Sequence, residues 1–424
     1  MLDHQKTTLR NGLQLVLVPM PVESVTVLVG VGSGSRDEPA AKAGVSHFLE
    51  HMASKGTQKR PTPFAVTSLI DAIGGEQNAG TSKEFTEYYV KVAAKHLETA
   101  FDFLSDNLLH PLFPAAEIER ERKVIIEEIN MYKDLPMRSI LDDFELLLYG
   151  NNALGRDISG SKQTVDQIKR RDFLAHLKKY YLPSQMVIVV AGKFSKARVK
   201  RLIQKYFQFP QRGTVKKRKI IKQDQARARV VLKRKKTDQV HFCFGVPGVA
   251  YSSSDRFPVA VLASILGFSR SSRLYREVRE KRGLAYYVQA VPEFYSDAGA
   301  LYARAGVAIN KIEEAIKVIQ KEYFRITKEP VRAKELQRAK EYLKGRFILD
   351  LEDSYSVAGR YAVQAVVEKR LRKPEEVLAL IDQVTSKDLL RVAQKLIKPE
   401  KFNLALVGPF RSPRRFRRLL RVEI

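Results

Sequence analysis

His47-Phe48-Leu49-Glu50-His51, an H-x-x-E-H run near the start of a 424-residue chain, is the stretch from which the rest of the sequence can be read. On a helix, residues four apart stand one above the other on the same face. Both imidazoles can therefore reach one cation, with the Glu50 carboxylate beside them. A tetrahedral zinc site that keeps one position open needs a third protein ligand, usually a carboxylate or another histidine. Ala53-Ser54-Lys55-Gly56-Thr57 follows, a run of small residues that leads out of the helix.

A second helix is predicted over 114–132. At about 100° per residue, Ile118, Glu121, Ile125, Glu128, Ile129 and Tyr132 share one face, while Glu127 points the opposite way. Two carboxylates in an isoleucine stripe are costly to bury unless protonated, paired or bound to a cation, and a zinc ion would offset that cost. The pattern predicts Glu128 as the third ligand. Glu121, one heptad earlier, is then placed behind it as a partner for a ligating histidine.

HFLEHMASKGT followed by these carboxylates resembles the inverted-motif zinc peptidases of the pitrilysin and insulinase superfamily. The match is best to the shorter branch that contains the catalytic subunit of mitochondrial processing peptidase and its bacterial relatives. In that family the third ligand falls 76 or 77 residues past the second histidine, which admits Glu127 and Glu128; the likeness of ERKVIIEEI to the family helix selects Glu128. The accessory glutamate then falls on Glu121. The resemblance implies a Zn2+-dependent endopeptidase, with zinc on His47, His51 and Glu128 and with Glu50 as general base toward the attacking water. It also implies that Asn78 and Ala79 bind substrate as an added β-strand, a mode that favours extended or unfolded peptides. The segment from Ser272 to Tyr286 resembles the family's S-R-L…R-E-K-x-G-L-x-Y, in which an Arg and a Tyr seven residues apart reach the zinc site; Arg279 and Tyr286 take those positions. A guanidinium can clamp a peptide carbonyl and a phenol can donate to an oxyanion. Long members of the superfamily enclose substrate between four such units and this chain supplies two. A second chain is expected to complete the chamber, as a homodimer or as a heterodimer with a related subunit. The alternative is a non-catalytic structural or partner subunit of a processing-peptidase-like complex. The intact zinc motif speaks against it, and Gly267-Phe268-Ser269-Arg270 is too short for the glycine-rich loop of the non-catalytic subunit.

Outward from the motif, apolar patterning predicts strands over 13–18 and 25–32, a helix over 63–73, a loop entering a strand over 78–90, and a helix over 95–107. Helices continue to about 147, one more spans 164–181, and the half closes on a strand over 186–192 and a helix over 196–206. The second half replays this order, with strands over 240–245 and 299–307 and helices over 257–266, 311–322 and 331–347. Lys398-Pro399-Glu400-Lys401 leading into Leu404-Ala405-Leu406-Val407-Gly408 parallels Leu182-Pro183-Ser184-Gln185 leading into Val187-Ile188-Val189-Val190-Ala191-Gly192. The prediction is an α+β fold of two homologous α/β-roll domains related by internal duplication, each a mostly antiparallel sheet packed with helices. Its parts are a zinc-bearing domain (1–209), a basic linker (210–228), a homologous domain without the motif (229–410) and a basic tail (411–424). Leu262-Ala263-Ser264-Ile265-Leu266 stands where the second zinc helix would be.

A hydrophobic content of 44% can bury a large core, and the single cysteine, Cys243, forbids an intramolecular disulfide and is compatible with a reducing compartment. The amino terminus lacks a basic stretch followed by an apolar one, and no apolar run approaches the roughly 20 residues of a membrane span, so a cytoplasmic chain is expected. The formal charge is +28, concentrated over 212–236 and 411–421. No nucleic-acid motif accompanies it. A solvated basic surface, with peptides rather than a specific nucleic acid as the partner, is the expectation.

Overall fold

The computed structural model describes residues 2–209, 213, 218–221 and 223–421. Most of the first part of the expected linker (210–212, 214–217 and 222) and the last three residues of the tail lie outside the described residues.

Two sheets repeat one topology. The first contains β1 (Gln5–Thr8), β2 (Gln14–Pro19), β3 (Ser24–Val31), β4 (Glu76–Thr81), β5 (Thr86–Ala93) and β6 (Met186–Gly192), in the order β1-β2-β6-β3-β5-β4. The second contains β7 (Arg229–Arg234), β8 (Gln239–Pro247), β9 (Ala285–Phe294), β10 (Gly299–Ala308) and β11 (Asn403–Gly408), in the order β7-β11-β8-β10-β9. The single parallel pair of each sheet, β2 with β6 and β7 with β11, falls at the same place. The fold is therefore α+β, mostly antiparallel and duplicated. Central β6 reads as a continuous apolar run and is buried along its whole length, as a strand covered on both faces should be. In β5 burial alternates with period two.

What covers the two faces explains the domain structure. One face of the first sheet carries Leu15, Val27, Val29, Ile188 and Val190 and packs on the helices Val45–Met52, Leu97–Leu109 and Ala115–Asp134. The other carries Val16, Val18, Leu28 and Val189, and its cover is Val357, Tyr361 and Ala362 of the helix Ser354–Val363, from the far half of the chain. Thr26 and Ser354 hydroxyls meet at 2.8 Å and Lys91 pairs with Asp353 at 2.8 Å. Reciprocally, Ile140, Phe144 and Leu148 of the helix Pro136–Tyr149, from the first half, pack among Cys243, Tyr302 and Ala405 in the second sheet. The compact units are consequently 1–130 with 156–218 and 348–375, and 131–155 with 219–347 and 376–424, rather than the contiguous blocks 1–209 and 229–410.

Smaller departures have local causes. Residues 78–81 are part of a strand, β4, and not of a loop, because pairing with β5 overrides the weak strand propensity of a polar, Gly-containing run. The helix expected over 164–181 is two, Lys162–Asp166 and Arg170–Tyr180, since Asp172 accepts the Lys169 amide at 2.8 Å and starts a new helix there. Nor is the basic run around the linker uniformly solvated: Arg229–Arg234 is a strand, and Arg218 makes two bonds of 2.8 Å to the Asp37 carboxylate. In the tail, Phe416 and Leu420 are buried and hold the helix Arg414–Leu419. No helix among the described residues is long and apolar enough to cross a membrane.

Candidate active site

The histidine pair is carried by the helix Val45–Met52. Gly44, which precedes it, has φ +96°, and a Cβ there would stand 2.5 Å from the Ser159 carbonyl oxygen. Glu38 caps the helix: its carboxylate accepts the Gly44 and Ser46 amide protons, each at 2.7 Å. Burial pushes the Glu38 carboxyl up to about 7 against those bonds. Phe48, Leu49 and Met52 sink into the core and fix the rotation of the helix, so that Glu50 and His51 line a cavity of about 310 Å³.

The third donor comes from the helix Ala115–Asp134, whose Ile118, Ile125 and Ile129 are buried and whose Glu127 is exposed. Glu128 turns inward. His47 Nε2, His51 Nε2 and Glu128 Oε2 form a triangle with edges of 3.3, 3.5 and 3.5 Å. Ligands about 2.0–2.1 Å from a tetrahedral zinc stand about 3.3–3.4 Å from one another, so this donor set fits that ion. Glu128 Oε2 is also buried without a hydrogen bond, which is costly for a carboxylate that no cation compensates. Glu50 brings a carboxylate oxygen within 4.8 Å of a nitrogen of each imidazole.

Behind the triangle, Glu121 Oε1 lies 2.9 Å from His51 Nδ1, and Lys55 Nζ lies 2.8 Å from Glu121 Oε2. A carboxylate at Nδ1 accepts the ring proton and leaves the Nε2 lone pair for a ligand. Burial, with His51 alongside, pulls His47 down to about 4, so its imidazole is neutral at neutral pH and its lone pair is free to bind a cation. Burial acts in the same direction on His51, but the Glu121 bond and the charges of Glu128 and Glu50 outweigh it and raise the value. The Glu50 carboxyl is raised, chiefly by burial and against Thr81 and His51. A raised carboxyl is better matched to proton exchange near neutrality.

β4 is the outermost strand of its sheet, with Asn78 opposite Tyr89 and Ala79 opposite Tyr88. Asn78 and Ala79 line the cavity, as do Phe103 and Leu104 of the helix Leu97–Leu109. The Ala79 N–H is held by the Asn78 side-chain oxygen at 2.9 Å and not by a further strand. Arg279 and Tyr286 belong to the second compact unit. There the Arg279 guanidinium lies 5.1 Å from the Tyr275 ring and 5.6 Å from the Tyr286 ring, and Tyr286 is 75% exposed at the start of β9. The first unit thus gathers His47, Glu50, His51, Asn78, Ala79, Glu121 and Glu128, and the Arg279–Tyr286 pair is a feature of the other. Sequence reading passed over Glu38, which stands outside any motif, and over Lys55, which lies inside the quoted run.

Comparison with known proteins places the chain in a family. Residues 16–162 match the family model described as insulinase (peptidase family M16), and residues 167–343 match the model of the M16 inactive domain. YmxG of Bacillus subtilis, named as an uncharacterized zinc protease, is 32% identical over 96% of this chain and 98% of its own. A Mycobacterium leprae protein of the same description, ML0855, is 34% identical over 99% of this chain and 95% of its own. Among solved structures, a protease from Helicobacter pylori superposes with a TM-score of 0.88 at 24% identity, covering 96% of this chain and all of that one. A chain of Candida albicans complex III2 shares the fold, with a TM-score of 0.84 at 17% identity over 98% of this chain and 99% of that one. With the donor triangle in its amino-terminal unit and relatives named as zinc proteases along nearly its whole length, this chain belongs to the insulinase family of metalloproteases, peptidase family M16.

Proposed function

We propose that the chain is a zinc endopeptidase that cleaves extended or unfolded peptides, with His47, His51 and Glu128 as metal ligands and Glu50 as the general base. The observation that carries this reading is the ligand triangle of 3.3, 3.5 and 3.5 Å with an uncompensated carboxylate oxygen at one corner. When bound, zinc supplies Lewis acidity, polarising the scissile carbonyl and bringing the pKa of a water toward neutrality. Glu50 takes the proton of that water as it attacks and hands it to the departing amine. Glu121 keeps His51 in the tautomer that presents Nε2. The outer edge of β4, with Asn78 and Ala79, receives the substrate backbone as a further strand, and the cavity beside it takes a side chain next to the scissile bond. A chamber closed by a second copy, with Arg279 and Tyr286 stabilising the developing oxyanion, completes the proposal.

Metal analysis and a fluorogenic unstructured peptide test it together. Glu50→Gln is expected to keep about one zinc per chain while turnover falls at least ~10²-fold. Undiminished cleavage by this variant, or a wild-type chain that takes up no zinc, would exclude the reading. Sedimentation as a fully active monomer would remove the chamber from it.

A further inference from the structure

Lys55 has no part in the reaction just described, yet it sits where it can govern the metal. The helix Val45–Met52 ends and the chain turns back at once, with the Lys55 amide donating to the Met52 carbonyl at 3.2 Å. Gly56 then adopts φ +128°, and a Cβ there would approach the Pro61 carbonyl oxygen to 2.8 Å, so the turn depends on glycine. This turn sends the Lys55 side chain back over the end of its own helix, toward the neighbouring helix Ala115–Asp134. Nζ reaches Glu121 Oε2 at 2.8 Å, while the other oxygen of the same carboxylate meets His51 Nδ1 at 2.9 Å. No other hydrogen bond to the Glu121 side chain is found among the described residues, and that side chain is only 8% exposed.

A carboxylate gripped at both oxygens cannot rotate about its last bond. One gripped only by an imidazole can, and each rotation loosens the alignment of the ring that depends on it. We infer that Lys55 is a positioning residue: it clamps Glu121 so that Glu121 in turn fixes the tautomer and ring orientation of His51 for zinc. This rests on the proposed zinc-peptidase reading. The order of action is Lys55 to Glu121 to His51 Nδ1, with the Nε2 lone pair delivered to the corner of the ligand triangle. Since the ammonium also lines the substrate cavity, a direct substrate contact is the competing role, and the two separate cleanly in experiment.

The test is chelator competition for zinc on the full chain, in wild type, Lys55→Met and Lys55→Arg, with melting temperature and peptidase kinetics on the same samples. Losing the carboxylate partner of a ligating histidine costs about 10- to 100-fold in metal affinity, and Lys55 acts one step behind that partner, which puts its own loss at the low end of the range. Lys55→Met is therefore expected to weaken zinc binding about 10-fold and to lower kcat at limiting zinc, with KM for an uncharged peptide essentially unchanged. Lys55→Arg, which retains a donor to Glu121, should recover most of the affinity. Histidine nitrogen NMR, recorded at a pH alkaline enough to leave the raised His51 imidazole neutral, should show a single Nδ1–H tautomer for His51 in metal-free wild type and a mixture in Lys55→Met. Unchanged zinc affinity and tautomer in Lys55→Met, with only KM altered, would make Lys55 a substrate contact and overturn the inference. Equal loss of affinity and melting temperature in both variants would reduce it to a structural residue and overturn it as well. A wild-type chain that binds no zinc in this titration would show instead that the peptidase reading beneath it is wrong.

Discussion

Exchanging His176 for glutamine should remove a pH-dependent part of the stability of the amino-terminal unit. The imidazole is 5% exposed, its ring centre 4.8 Å from that of Tyr180 and tilted 46° to it, with Nε2 3.4 Å from the Ser46 hydroxyl. Burial pulls its pKa from 6.5 to about 4, more strongly than the charge of Asp37 raises it. Between those values the unfolded chain holds a proton that the native chain refuses. The stability is thus fully present above pH 6.5 and drains away as pH falls toward 4. At about 1.36 kcal/mol per unit the difference reaches ~3 kcal/mol in strong acid, of which about 2 kcal/mol has gone by about pH 5. Glutamine does not titrate and can still bond to Ser46. Urea unfolding followed by circular dichroism between about pH 7.5 and 5 gives the advantage of wild type over His176→Gln at each pH, and that advantage should shrink by about 2 kcal/mol. Comparing the two proteins cancels the opposing contribution of Glu38, whose raised carboxyl makes its burial costlier as pH climbs from 4.5 through about 7. A stability difference that stays level across this range would refute the claim that His176 is buried neutral.

Three further outcomes are expected. Glu128→Gln should lose zinc on metal analysis while Glu127→Gln keeps it, because only the first of these adjacent carboxylates faces the imidazoles; equal retention would break the ligand assignment. Ala79→Pro should raise KM for extended peptides by about 3- to 10-fold, the worth of one backbone hydrogen bond, and leave zinc content unchanged. Arg218→Met leaves the buried Asp37 carboxylate without its bidentate partner and should cost on the order of 1–3 kcal/mol, seen as a lower melting temperature and faster proteolysis near the linker.

The parts of this fold legible in the sequence were those governed by local periodicity. The histidine helix, the ligand helix and β6 show their 3.6-residue or continuous apolar patterns plainly, and Glu128 could be told from Glu127 by which face the isoleucines occupied. Elements held by partners distant in sequence were harder to read. β1 is exposed at all four residues and β4 is polar and small, so each owes its conformation to a neighbouring strand. Glu38 escaped notice because its task, capping a helix six residues on, is set by a loop's path and leaves no spacing signature. Lys55 was in plain view within the motif, but its partner lies 66 residues away and only tertiary structure brings them to 2.8 Å. The exchange of the helices Pro136–Tyr149 and Ser354–Val363 is invisible to periodicity for the same reason: an amphipathic helix announces that it will be covered, not by which sheet.

That exchange bears on how such a chain could have arisen and how it can be cut. Each half carries a sheet with a bare apolar face and, a few dozen residues from its second-last strand or beyond, a helix that leaves to cover the other half's sheet. A stand-alone ancestor could have satisfied both faces by trading arms with a sister molecule, a domain-swapped pair that tandem fusion would then have made permanent in one polypeptide. By the same logic, genes truncated near residue 209 should yield sticky, poorly folded products, and co-expressing the two fragments should restore soluble material.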